Sequence, residues 1–69
     1  MKLQELVYIL SGETKIDIEA RSRYAGYSSV ETNIAMKDLG TCKYRDEEIV
    51  VMWPSGTNTM IVVIDKVVD

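Results

Sequence analysis

Apolar residues recur along this chain in three different rhythms. Leu3, Leu6, Val7 and Leu10 fall at i, i+3, i+4 and i+7, the core-facing stripe of an amphipathic helix, with Lys2, Gln4 and Glu5 off it. Ser11-Gly12 supplies a stop, so a short helix is expected from Lys2 to Leu10. From Thr14 to Arg21 the period drops to two. Ile16, Ile18 and Ala20 point one way and Lys15, Asp17, Glu19 and Arg21 the other, which is a half-buried strand. The third rhythm is no alternation at all. Ile49-Val50-Val51-Met52-Trp53 and Met60-Ile61-Val62-Val63-Ile64 flank Pro54 to Thr59 and read as a hairpin apolar on both faces. One face can go to a helix of the same chain. The other then needs a second helix, a twin subunit or a partner.

Between these segments the signals are softer. Ser22 to Ser28, with Gly26 between Tyr24 and Tyr27, reads as a loop. Ser29 to Lys37 fits a strand, with Val30, Thr32, Ile34 and Met36 on one face. It also fits a helix, because Ser28 and Glu31 make a capping box. The balance falls on a strand to Ile34 and a helical turn from Ala35 to Leu39, ended by Gly40. Thr41 to Asp46 is a polar connector, Glu47 to Trp53 a third strand and Thr59 to Lys66 a fourth. Pro54 cannot donate to a ladder and stops the third strand where turn residues begin. The expected fold is α+β, a single domain over 1–69. A short amino-terminal helix packs on a mostly antiparallel sheet of three or four strands that ends in a C-terminal hairpin, with a second short helix around 35–39. Leu3, Leu6, Val7 and Leu10 should meet Ile16, Ile18, Val51, Val62 and Ile64, give or take one register step.

Size sharpens the question of cover. A chain of 69 residues buries only about 60% of the surface its unfolded form exposes, and dimerisation is a common remedy. An apolar fraction of 46% is ordinary for a globular protein. Net charge is −3, and Lys2, Lys15, Arg21, Arg23, Lys37, Lys43, Arg45 and Lys66 are scattered rather than striped, which argues against a nucleic-acid backbone footprint. Cys42 is alone and can form no internal disulfide, which points to a reducing cytoplasm. Met1 to Leu10 lacks the long apolar core of a signal peptide, and no stretch approaches the ~20 apolar residues of a membrane span. A cytoplasmic protein is expected.

The chemistry of sites is thin. There is no His, which removes the commonest acid–base residue and metal ligand. Asp17 and Glu19 share a strand face as a carboxylate pair, but Lys15 and Arg21 flank them and suggest a neutralised surface. Cys42 would need activation from Lys43 or Arg45. No catalytic, cofactor or metal residue is therefore assigned. Tyr24 and Tyr27 bracket a loop, where an aromatic is hard to bury, and are the candidates for partner contact. The exposed side of the hairpin, either Val50, Met52, Ile61 and Val63 or their alternates, is the candidate self-association surface.

The order of signals resembles that of small, acidic proteins encoded by phages and prophages of Gram-positive bacteria. It rests on the opening helix with Leu3-Gln4-Glu5-Leu6 and Ile9-Leu10, then Thr14-Lys15-Ile16-Asp17-Ile18. Tyr24 and Gly26 in mid-chain and the closing Met60-Ile61-Val62-Val63-Ile64 complete it. The resemblance implies a mobile-element context and a binding role over an enzymatic one, and it assigns no residue a role. The functional expectation is a non-enzymatic protein-interaction module, a homodimer that binds a protein partner. The alternative is a nucleic-acid-associated accessory protein using Arg21, Arg23, Lys43 and Arg45 around the tyrosines.

Overall fold

Two hairpins joined through their inner strands make the sheet. In the computed structural model, which describes residues 1–24 and 26–68, β1 (Lys15–Ser22) pairs antiparallel with β2 (Tyr27–Ala35), and β3 (Ile49–Pro54) antiparallel with β4 (Thr59–Val68). β1 and β4 then lie side by side and parallel, giving the order β2-β1-β4-β3. The sheet is therefore mixed, not mostly antiparallel. Its central position explains the unbroken apolar run of β4: Val62, Val63 and Ile64 are all fully buried, as expected of a strand flanked on both sides. The same explanation fails for β3, an edge strand whose Val50, Val51 and Trp53 are exposed.

One face of the sheet carries the core. Ile16, Ile18 and Ala20 of β1 and Val62 and Ile64 of β4 meet Leu3, Leu6, Met36, Leu39 and Tyr44, with Ile34, Ile49 and Met52 packed against them. Two six-residue 3₁₀ helices, Leu3–Tyr8 and Met36–Thr41, supply the cover. The second one and the connector after it carry the chain from the β2 edge across this side to the β3 edge.

The first helix winds with three residues per turn, so Leu3 and Leu6 stack inward and Val7 rotates out to 48% exposure. Leu10 lies beyond the helix and is only half-buried. The α-helical stripe through Val7 and Leu10 is thus corrected to a shorter 3₁₀ turn. The connector fixes where this helix starts. Leu3 and Gln4 donate to the carbonyls of Glu47 and Arg45 at 2.9 and 3.1 Å, and Ile49 donates to Met1 at 2.8 Å. These bonds hold residues 1–4 against the connector. The Lys2 amide also donates to Glu5 Oε1 at 2.6 Å, half of a capping box. The Met1 amine donates to the Glu48 carboxylate at 2.9 Å, and that hydrogen bond together with the carboxylate's charge raises the amine above its ordinary value of 8.0.

Register breaks decide which side chains reach which face. An irregularity between Ile49 and Val51 makes Val50 an extra residue opposite β4. The break brings Ile49 to the same side as Met52, which faces the core opposite Val62, while Val51 and Trp53 point to the opposite side. Val51, expected in the core, pairs with Val63 on that outer side and is 41% exposed. The β2 strand carries two further irregularities, and Asn33 there adopts a left-handed φ of 57°. The β3–β4 turn uses Gly56 and Asn58 at φ values of 88° and 58°, a conformation that Gly and Asn tolerate best.

Candidate protein interaction face

The side of the sheet away from the two helices has no layer over it. Register lays its side chains in rows across the strands. Ser29, Glu19, Val63 and Val51 form one row, and Asp17, Ile61 and Trp53 the next. Lys15 with Thr59 lies beyond the second row, and Tyr27, Arg21 and Val67 lie beyond the first. Each row is polar on the β2–β1 half and apolar on the β4–β3 half, so a seam between the two characters runs along β1 and β4.

The apolar half belongs to the hairpin. Val63 is fully buried between its neighbours and Ile61 is half-buried, whereas Trp53 keeps 36% of its surface exposed next to Val51. Of the four residues expected to self-associate, Ile61 and Val63 lie on this face and Val50 projects from the break in β3. Met52 does not join them, because it pairs with Val62 and packs on the core. Val51 and Trp53, the alternates, take its place. The apolar run alone could not choose between the two sets; the hairpin register does, setting Met52 opposite Val62 and Val51 opposite Val63.

On the polar half, Arg21 is paired with Asp65. Asp17 accepts the Asn33 amide at 2.8 Å, and among the described residues neither Asp17 nor Glu19 has a cation within 4.0 Å. Tyr27 stands at the far corner, 50% exposed, opposite Arg21. Tyr24 lies in the preceding turn and is 81% exposed, next to the face rather than on it. The basic residues of the nucleic-acid alternative are divided. Arg21 is on this face, whereas Lys43 stacks over the ring of Tyr44 at 5.4 Å and Arg45 bonds to Cys42 on the helical side.

Both sheet edges are interrupted. The start of β3 is sealed by residues 1–3, through the Lys2–Glu48 bridge and the bond from Ile49 to Met1. Its end is blunted by Pro54, which has no N–H, and its middle is broken at Val50. Ser55 donates to Thr59 at 2.8 Å, so ladder alternation leaves only the backbone of Met52 directed outward between those stops. The irregularities of β2 twist the other edge in the same way.

Two depressions lie on the helical side. A cleft of about 580 Å³ between the 3₁₀ helices is lined by Lys2, Gln4, Glu5, Tyr8 and Lys37, and a smaller one of about 360 Å³ by Glu31, Asn33, Asp38, Thr41 and Cys42. Neither holds a buried polar side chain lacking a partner among the described residues. Among those residues no group of three His, Cys, Asp or Glu is placed to hold a metal ion, and no helix is long and apolar enough to cross a membrane.

The fold and this face define a small α+β protein built on a mixed four-stranded sheet with one open side. No protein-family model, curated protein or solved structure matches the chain.

Proposed function

We propose that this chain is a non-enzymatic protein-interaction module that docks a protein partner on the open face of its sheet. It would work in the cytoplasm, in the mobile-element context that the sequence resemblance implies. One observation carries this reading: Val51 and Trp53 stand uncovered on an otherwise regular sheet face. Trp is among the side chains most favoured at the centre of protein interfaces, because it offers large area at low rotamer cost. Tyr27 and Tyr24 extend the same aromatic character along the rim. The interrupted edges leave the face as the broader surface for a partner.

Self-association is the competing form of the same reading, with a second copy as occupant. Site-specific photocrosslinking in the producing cell tests both. A benzophenone side chain at Val51 should give one discrete adduct with an identifiable different protein, and the same probe at Tyr8 on the helical side should give none. An adduct only with the chain itself would assign the face to a second copy. Equal labelling from both positions, or none from either, would defeat the proposal.

A further inference from the structure

We infer that the occupant of the open face is a basic amphipathic protein segment, with an apolar stripe on Val51, Trp53 and Ile61 and a cationic stripe over Asp17 and Glu19. This rests on the reading of the chain as a protein-interaction module and names the chemistry of its partner. Charge makes the case. Along β1 the open face carries Lys15, Asp17, Glu19 and Arg21, a palindrome of signs running plus, minus, minus, plus. Arg21 is already neutralised by Asp65. The unmatched centre is therefore two half-buried carboxylates that border the apolar seam. A facing cation there removes a like-charge contact and gains charge-assisted hydrogen bonds. The chain's net charge of −3 adds long-range attraction for the same kind of partner.

The same palindrome weighs against a second copy. Two-fold symmetry makes an interface meet itself. Superposing two β1 strips in either two-fold orientation sets plus on plus and minus on minus. A slip of one row still leaves a carboxylate facing its own copy. A dimer restricted to the apolar half would be small. At 41%, 36% and 50% exposure, Val51, Trp53 and Val50 offer roughly 250 Å² from whole side chains of ~150–250 Å², against about 800 Å² per partner in a standard interface. Nor does the fold need one to be compact. Its accessible surface of 4318 Å² matches the ~4,400 Å² expected of a folded monomer of this mass. Nucleic acid is disfavoured by the same two carboxylates at the centre of the face.

Trp53, the single Trp of the chain, reports occupancy directly. The probe is a synthetic amphipathic helix of leucine and lysine, compared with its leucine–glutamate counterpart. The lysine peptide should shift Trp53 emission to the blue and move amide resonances of β1, β3 and β4. Glu19→Lys should weaken binding by about tenfold at low salt. Asp38→Lys makes the same change of net charge at an exposed position of the second 3₁₀ helix, on the helical side, and should have little effect. Equal binding of the glutamate peptide, equal weakening by both variants, or no shift at hundreds of micromolar peptide would overturn the inference. So would resonance changes confined to the helical side. Crosslinks from Val51 to a partner whose docking segment is neutral or acidic would also sink it, while leaving the interaction module standing. Absence of any adduct would remove both.

Discussion

Exchanging Val for Thr at two positions on opposite faces of the closing hairpin separates core from open surface with the same chemistry. Thr matches Val in shape and strand propensity, so the variants differ only in where a hydroxyl lands. At Val62, fully buried against Ile18 and the helical layer, the hydroxyl finds no water, and mutational experience puts that cost at about 1–3 kcal/mol. At Val51, 41% exposed on the other face, the hydroxyl reaches solvent and the cost should stay below about 0.5 kcal/mol. A chain of 69 residues has roughly 3–10 kcal/mol of stability, so the Val62→Thr loss is a large share of the total. Urea titration followed by Trp53 emission and far-ultraviolet circular dichroism reads the difference. With a slope near ~1 kcal/mol per molar for so small a domain, Val62→Thr should lower the midpoint by about 1–3 M and Val51→Thr by less than about 0.5 M. Equal losses at the two sites would mean that Val51 is covered in solution, and the open face would have to be abandoned.

Three further outcomes follow from particular contacts. Leu39→Ala should cost about 2–5 kcal/mol in the same titration, because Leu39 anchors the second 3₁₀ helix to the core; a loss under 1 kcal/mol would detach that helix from the fold. Asn58→Ala should cost about 1–2 kcal/mol, whereas Asn58→Gly should be close to neutral, since the backbone there is left-handed at φ 58°; the reverse order would contradict that turn. The Met1 amine has its pKa raised above 8.0 by Glu48, so its contribution is fully present below that value and fades as pH climbs through the raised one. Wild type should therefore lose its small advantage over Glu48→Gln as pH rises above 8.0, and a constant gap would show that the pair contributes nothing.

What could be read from the residues followed local periodicity. The alternation of Ile16, Ile18 and Ala20 with Lys15, Asp17 and Glu19 placed β1 and its two faces as they stand. The closing hairpin was equally visible, because Pro54 and Gly56 punctuate it, and so was a turn of helix after Ala35, although it runs through Gly40, expected to end it, to Thr41. Parallel pairing of β1 with β4 was not. Periodicity says which way a side chain points, not which strand lies beside it. The anchoring of the first helix by bonds to Arg45 and Glu47, far along the chain, was equally invisible. Tyr44, in a segment read as a polar connector, is buried because that connector folds back under the amino terminus. Of the residues named from the pattern, Ile61, Val63 and Tyr27 lie on the open face. Met52 was assigned to the surface and lies on the core because the hairpin register sets it opposite Val62. No pattern of residue types announces that register.

The open face is tested most directly by acrylamide quenching of Trp53 in the free chain, run beside light scattering from low to high micromolar protein. A mass of 7.8 kDa throughout, with quenching that is efficient and independent of concentration, is the expected result. A mass twice as large, with quenching that falls as the larger species forms, would show the face already occupied by a second copy and contradict its role as a docking site for another protein.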